Sequence, residues 1–266
     1  MKITPAIASM LFSGSTTGSS LLATLSGGVS SSTTATRDPL STLKDAEKNS
    51  AKYVAAKAKE PQVKKELAAF DKALANAKSV EDFFKNPTAM KVFLTANGLG
   101  DQAANRVLVT RTLDSDYLDE TSLAARMGAT RGAWYETAMA YDFHYSGLDV
   151  LRKPESIAEI KEGYAQALWR ESLETSAPGV SYALAFKERA ATLDSAYKVL
   201  GDPVGREVVT TALGLPPQIA YQPVTSQAAL IERRLDVTRL KNPVYVDSLV
   251  KRYLVLRNGG ASGVTA

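Results

Sequence analysis

The chain has no cysteine, and this absence excludes disulfide bonds, thiolate nucleophiles and cysteine-ligated zinc or iron–sulfur centres. The absence of cysteine has two explanations. It is chance in a cytosolic protein, or it protects a protein that passes through an oxidising compartment from forming unwanted disulfides. Only one histidine is present, so any serine–histidine–aspartate triad must use His144. No run approaches the ~20 apolar residues that span a bilayer, so we predict no transmembrane helix.

An excess of charge of either sign is also lacking. The 32 Lys and Arg residues and 28 Asp and Glu residues are interspersed and leave a formal net charge of +4. A nucleic-acid-binding surface needs a clustered positive excess, so we expect no nucleic-acid partner. The 266 residues are 45% hydrophobic, which is enough to build the core of one large domain or two small ones.

Residues 1–37 form a leader rich in serine, threonine and glycine. The opening MKITPAIASMLFSGS imitates a secretory signal poorly, because Pro5 and Ser9 interrupt its apolar stretch and no clear cleavage site follows. Neither the leader nor the tail at 259–266 has enough apolar area to offset the entropy of ordering, so we expect both to be disordered. An uncleaved, polar leader is typical of flagellar-type export signals, and a flexible leader without an address is the alternative.

Prolines recur between residues 38 and 258 at positions where helices are predicted to begin. Proline suits the first helical position, and a preceding Asp or Asn can accept hydrogen bonds from the free N–H groups of the first turn. Four such pairs predict capped helix starts, at Asp38-Pro39, Asn86-Pro87, Asp202-Pro203 and Asn242-Pro243. Pro61 and Pro154 predict two further starts without an Asx cap.

Helical periodicity follows these starts. Leu67, Phe70, Leu74 and Ala77 recur on one stripe after Pro61, and no segment sustains the alternation typical of strands. We therefore predict an all-α fold, a multi-helix domain over residues 38–258 between the two tails.

One stretch occurs twice. FFKNPTAMKVFLTANGLGDQ at 83–102 aligns without gaps on VLGDPVGREVVTTALGLPPQ at 199–218. Each copy reads as an Asx cap, a proline, about three helical turns and a glycine stop, at Gly98 and Gly214, in the left-handed conformation. We predict two related helical halves, near 79–145 and 195–257, packed together in one domain.

Four motifs in the first half form an ordered set: SVEDFF at 79–84, NGLGDQ, LDSDYLDETSLAARM at 113–127 and AMAYDF at 138–143. This set resembles a bacterial family classed as domain of unknown function 1217, which is helical, common in alphaproteobacteria and often encoded among flagellar genes. The resemblance covers Asp38 to Phe143 and the helix opening of the second copy. It departs at Gly128 to Trp134, where GATRGAW lacks the Arg-Tyr pair of the family. The family has no established active site to transfer.

The densest acidic cluster is DSDYLDE, with Asp114, Asp116, Asp119 and Glu120. A calcium loop of the EF-hand type needs glycine at its sixth position and glutamate at its twelfth, but the twelfth position here is Ala125. We therefore predict a helix-capping turn and no metal site.

Three further patterns have conventional structural explanations. His144 ends a helix in the aromatic run AYDFHYSG and is expected to be a packing or surface residue. Gly98, Gly100 and Ala103 match a dinucleotide fingerprint, but a helix rather than a strand precedes them, so Gly98 is interpreted as a helix stop. The C-terminal part is locally basic and is interpreted as solvated helix faces in preference to a phosphate or acidic-partner site, through Arg233, Arg234, Arg239, Lys241, Lys251, Arg252 and Arg257.

No pattern matches a catalytic signature, so we expect no catalytic residue, cofactor or metal; an enzyme of unrecognised type that uses Asp114, Asp116, Asp119 or His144 is one alternative. The resemblance, the polar leader and the missing cysteines together indicate a non-catalytic flagellum-associated structural or assembly protein. Its partners would be other proteins, flagellar components among them, and its place the flagellum or the outside of the cell. A Sec-exported periplasmic helical binding domain is the alternative, with the cytoplasm as a further location.

Overall fold

The computed structural model of the chain describes residues 37–130 and 132–259. These residues form helices joined by short turns and contain no strand, which confirms the all-α prediction for this part of the chain. The expected disorder of 1–37 and 259–266 concerns segments that, apart from their inner end residues, lie outside the described ranges. Arg131, in the segment that departs from the family pattern, also lies outside them.

The helices follow one another with few long connections. In chain order they are α1 (Pro39–Ala58), α2 (Pro61–Asn76), α3 (Val80–Phe84), α4 (Pro87–Ala96), α5 (Arg106–Leu113), α6 (Leu123–Thr130), α7 (Gly132–Tyr141), α8 (Phe143–Ser146), α9 (Pro154–Ser176), α10 (Val180–Arg189), α11 (Ala196–Gly201), α12 (Pro203–Ala212), α13 (Val224–Glu232) and α14 (Pro243–Arg257). Short 3-10 helices lie at Gly100–Gln102, Ala190–Thr192, Pro217–Tyr221 and Val237–Lys241. Most of these elements are short, so much of the backbone lies near a helix end.

The described residues divide into two compact units. The first unit is Ser50–Arg170, and the second unit comprises residues 37–49 and 171–259. The two copies of the repeated stretch fall in different units. The packing of the two halves into one domain stays a prediction.

Each of the six prolines singled out from the sequence is the first residue of a helix. At all four Asx–Pro pairs the preceding side chain accepts a backbone N–H of the first turn. The acceptor oxygens belong to Asp38, Asn86, Asp202 and Asn242, at 2.8, 2.9, 2.6 and 2.9 Å from nitrogen. These bonds satisfy donors that the helix itself leaves unpaired.

The helices of the two repeat copies, α4 and α12, end with the same hydrogen bond. Leu99 N–H donates to the carbonyl of Leu94 at 2.8 Å, and at the equivalent place Leu215 N–H donates to the carbonyl of Thr210 at 2.9 Å. This six-to-one hydrogen bond is the signature of a Schellman motif. It forms because Gly98 and Gly214 adopt φ angles of 78° and 63°.

The correspondence also begins earlier than the aligned sequences. Ser79 caps α3 by accepting the N–H of Asp82, and Ser195 caps α11 by accepting the N–H of Lys198. In both units a short serine-capped helix is therefore followed at once by a proline-initiated helix. The shared unit is a pair of consecutive capped helices.

Aromatic rings dominate the core of the first unit. Phe83 contacts both Phe70 and Phe93 edge to face, with ring centroids 5.9 and 6.1 Å apart. Phe93 in turn packs against Tyr141 and Phe143 at 4.8 and 5.6 Å. All five rings are buried, and each contributes an apolar burial of about 1.5–3 kcal/mol before entropy is counted. Both tryptophans of the chain also lie in this unit, as Trp134 and Trp169.

One carboxylate is buried beside this core. Glu66 on α2 accepts hydrogen bonds from Gln62, Lys91 and Tyr164 at 2.9, 3.0 and 2.5 Å. Burial alone would raise its pKa, but the hydrogen bonds from these donors outweigh burial and hold the pKa of Glu66 below its ordinary value. The ionised carboxylate thereby ties α2 to α4 and α9.

The second unit has a mainly aliphatic core, and its last helix is held by charge. Arg257, at the end of α14, donates to Glu174 at 3.0 Å and to Glu207 at 2.5 Å. Glu174 also accepts the N–H of Gly179, at 3.1 and 3.0 Å to its two oxygens. Gly179 has φ 89°, and a Cβ there would lie 2.8 Å from Cδ of Arg257. Only glycine fits this turn without displacing the arginine.

We expect Gly98→Val and Gly214→Val each to lower the free energy of unfolding by about 1 kcal/mol or more, because a β-branched residue resists the left-handed conformation. The midpoint of denaturant unfolding, followed by circular dichroism, measures the effect. Gly201→Val is the matched control, because Gly201 has no positive φ and a Cβ there would contact nothing within 4 Å. If Gly98→Val and Gly214→Val both keep the wild-type midpoint while folding normally, these two glycines are ordinary loop residues.

Candidate functional site

The acidic cluster lies in the turn between α5 and α6. Its carboxylates close the turn on itself: Asp116 accepts the N–H of Leu118 at 2.9 Å, and Asp119 accepts the N–H and hydroxyl of Thr121, both at 2.8 Å. Short Asx side chains commonly stabilise turns in this way. Among the described residues, no group of three or more His, Cys, Asp or Glu side chains is placed to hold a metal ion.

The turn meets α8, which carries the single histidine. His144 Nδ1 lies 2.9 Å from the carbonyl oxygen of Asp114, and the Tyr145 hydroxyl donates to the Asp116 carboxylate. The rings of Tyr117 and Tyr145 meet edge to face with centroids 6.0 Å apart. The sequence singled out the acidic cluster and His144 separately, and the structure brings them together. We call this surface the acid-rimmed tyrosine patch; its members are Asp114, Asp116, Tyr117, Leu118, Asp119, Glu120, His144 and Tyr145.

Backbone geometry at the start of α8 sets this contact. Asp142 is the only described non-glycine residue with a positive φ, at 49°. Its side chain accepts a hydrogen bond from the hydroxyl of Ser146, four residues later. Asp and Asn tolerate the left-handed region better than other residues with a Cβ, so the break between α7 and α8 falls where the sequence allows it. Sequence reasoning missed this break, and its one local signal is Asp142 between two aromatic residues.

The hydrogen bonds of the patch determine its electrostatics. The bond from Tyr145 is the main reason that the pKa of Asp116 lies below its ordinary value, and the same bond raises the pKa of Tyr145 to about 12. Burial raises the pKa of Asp114, with the nearby His144 opposing that shift. Because a carbonyl oxygen can only accept, Nδ1 of His144 carries the proton of its hydrogen bond to Asp114.

Ser115 and the exposed side chains of the patch have different roles. Ser115, the one serine inside the acidic turn, donates its hydroxyl to the carbonyl of Thr112 and accepts the N–H of Ala124, both at 2.8 Å, so its oxygen stabilises the turn. Leu118 and Tyr145 remain 68% and 55% exposed. An exposed aromatic face beside carboxylates is complementary to a cationic group such as a guanidinium.

The dinucleotide-like glycines form a helix stop. Gly98 follows α4 with its positive φ, and Gly100 opens the 3-10 helix Gly100–Gln102. The phosphate-binding fingerprint requires a strand before the glycines and a helix N-terminus after them. Neither the preceding helix nor the short 3-10 turn meets that requirement.

The basic C-terminal residues are divided between structural contacts and solvent. Arg234 donates to the carbonyl of Leu213 at 3.2 Å, and Arg239 lies over the ring of Tyr245 with 4.1 Å between its guanidinium carbon and the ring centroid. Arg233 and Lys241 are exposed. All seven of the basic residues singled out from the sequence are exposed, as expected of solvated faces, and Arg234, Arg239 and Arg257 make structural contacts in addition.

A second exposed surface lies in the second unit and has no counterpart among the sequence expectations. Residues 216–226, PPQIAYQPVTS, are all exposed except Ile219, and Tyr221 is 91% exposed. The 3-10 helix Pro217–Tyr221 and a bond from Gln227 to the carbonyl of Gln222 at 2.7 Å order the segment. Three prolines within eight residues were the available signal. We call residues 216–226 the exposed proline segment.

Replacing Tyr145 by Phe is expected to raise the pKa of Asp116 toward its ordinary value of about 4, because the main bond to its ionised form is lost. A pH titration of the Asp116 carboxyl signal by NMR measures the change. Since the folded pKa is the lower one, the bond stabilises the turn above the unfolded pKa and ceases to do so as pH falls through the folded value. Tyr197→Phe, at an exposed tyrosine of the second unit, is the control. An unchanged Asp116 titration in Tyr145→Phe would contradict the assigned bond.

Comparison with known proteins identifies a family and a fold. The family model described as "Protein of unknown function (DUF1217)" matches residues 96–246, more than half of the chain and parts of both units. A crystal structure of protein AGR_C_984 from Agrobacterium tumefaciens is similar, with a TM-score of 0.68, 23% sequence identity, and coverage of 89% of this chain and 99% of that one. At this identity the likeness shows the fold alone. No curated protein matches the sequence. None of the described helices has the length and apolar character to cross a bilayer.

Proposed function

The chain belongs to the DUF1217 family of proteins of unknown function, and on that premise we propose that it is a non-catalytic flagellum-associated structural or assembly protein. It acts through contacts with other proteins, flagellar components among them. Residues 1–37 serve as an uncleaved leader for export by the flagellar apparatus. The resemblance of its motifs to a family often encoded among flagellar genes supports this assignment.

The exposed proline segment is the observation that carries the proposal. Proline and ordered 3-10 geometry limit the conformations of the segment, so a partner that contacts it pays little conformational entropy. Tyr221 offers a large, rigid, amphipathic side chain of the kind enriched at protein interfaces. Val224, beside it at the start of α13, adds apolar area that is 55% exposed. Because Tyr221 and Val224 are exposed, they add little to the core of the second unit, and their apolar surface is accessible to a partner.

The acid-rimmed tyrosine patch supports the same assignment. The hydrogen bonds of Asp116 and Asp119 close turns, and the remaining groups of the patch present charge and aromatic surface. A general base or nucleophile would need its reactive atom free to meet a substrate. The carboxylates of Asp116 and Asp119 accept hydrogen bonds from the backbone and so stabilise the conformation of the turn.

We expect Tyr221→Ser combined with Val224→Ser to abolish co-fractionation with flagellar structures while leaving the melting temperature nearly unchanged, because both side chains are exposed. Fractionation of cells with an intact flagellar exporter, with immunodetection of the protein, is the measurement. Tyr197→Ser with Val255→Ser removes comparable exposed side chains elsewhere in the second unit and is expected to fractionate as wild type. Normal fractionation of the Tyr221 and Val224 variant would show that this segment is not the contact.

Deletion of residues 2–36 is expected to leave the melting behaviour nearly unaltered and to abolish flagellum-dependent appearance outside the cytoplasm, because an export leader acts by entering a channel. The comparison requires cells with and without a working flagellar exporter. A truncated protein that still reaches the flagellum or the medium would overturn the export role. A mass spectrum of the exported full-length protein separates the alternative, since Sec export predicts a shortened N-terminus.

A further inference from the structure

We propose that the acid-rimmed tyrosine patch binds a second copy of this chain, through the basic segment formed by residues 233–241 and the adjoining Val244. The inference goes beyond the proposed function and does not depend on it. It rests on two exposed surfaces of one chain that are complementary in charge and in apolar character.

The patch offers an apolar centre with an acidic rim. Leu118 is 68% exposed in the turn, and the ring of Tyr117, the residue before it, meets the ring of Tyr145 edge to face. Residues 114–120 carry four carboxylates and no cation. Within residues 37–130 and 132–259, none of these four forms an ion pair with a lysine or arginine. The patch therefore selects an occupant that is cationic and partly apolar.

The basic segment meets that description. Residues 233–241, RRLDVTRLK, carry four cations and one carboxylate, and Asp236 closes the turn by accepting the N–H of Thr238 at 3.0 Å. Arg233 and Lys241 are exposed at its two ends. Val244, which follows at the start of α14, is 77% exposed and gives the segment an apolar residue to match Leu118.

Both surfaces are ordered by aspartate side chains. Asp119 closes the acidic turn, and Asp236 caps the 3-10 helix Val237–Lys241, so both surfaces present their charges with little loss of entropy on contact. The guanidinium of Arg233 can pair with the carboxylate of Asp116 and stack on the face of Tyr145, a combination that suits arginine better than lysine. Every copy of the chain carries both surfaces, so each copy can supply what another needs.

The strength of this association is expected to depend on salt and on protein concentration. Exposed ion pairs contribute little individually and are screened by salt, so association is weak, rises with protein concentration, and is strongest at low ionic strength. Contacts between two different surfaces of identical chains can continue from copy to copy or close into a ring.

The test measures the mass of the full-length protein by light scattering and sedimentation, over a range of concentrations, at ~0.01 M and ~1 M salt. The patch variant is Asp116→Asn with Asp119→Asn and Glu120→Lys, in which asparagine retains the acceptors that close the turn. The segment variant is Arg233→Glu with Lys241→Glu, which spares Arg234 and Arg239 because both pack against the protein. Lys64→Glu with Lys65→Glu, at two exposed positions of α2, makes the same change in net charge as the segment variant and is the control.

We expect wild type and control to self-associate at low salt, and each of the two interface variants to associate about tenfold more weakly or worse. A mixture of the patch and segment variants should form complexes of two chains, because one retains the basic segment and the other the acidic rim. Leu118→Ser should weaken association even at low salt. A wild-type protein that stays monomeric under all conditions, association unaffected by either variant, or a mixture that does not pair would each overturn the proposal.

Discussion

The structure depends on satisfying backbone groups at helix ends. A helix leaves its first four N–H groups and last four C=O groups without internal partners, so in elements as short as α3 or α11 most of the backbone is affected. Ser79, Asn86, Ser195 and Asp202 accept N–H groups at successive helix starts, and the two Schellman motifs satisfy carbonyls at the ends. Hydrophobic burial holds the helices together, and these local bonds determine where each helix starts and stops.

The same backbone frame encloses different cores in the two units. Where the first copy places Phe83, Phe84 and Phe93, the second copy places Val199, Leu200 and Val209, and all six are buried. Caps and glycine stops are shared, whereas the volume between the helices is filled by rings in one unit and by branched aliphatic side chains in the other. Close packing tolerates such replacement when neighbouring side chains change together, which explains how the frame persists although these core side chains differ.

The sequence predicted what is local. Helix starts at proline, caps at Asx and stops at glycine each depend on a few consecutive residues, and the structure has them at Pro61, Pro154 and the four Asx–Pro pairs. The contact of the acidic turn with α8 joins residues 30 apart, through His144 and Asp114, and no short-range pattern encodes that distance. The left-handed Asp142 that sets α8 against the turn is a conformation that many aspartates do not adopt. Exposure of the proline segment likewise depends on which neighbours happen to cover it.

Both tryptophans of the protein lie in the first unit, where each is almost fully buried. Intrinsic tryptophan emission therefore reports on that unit, while the second unit is silent to it and is observed through its tyrosines. Excitation selective for tryptophan, compared with a probe of helix content over the whole chain, distinguishes melting of one unit from melting of both. Because both indole rings lie in the first unit, tryptophan fluorescence follows the unfolding of that unit without any chemical labelling.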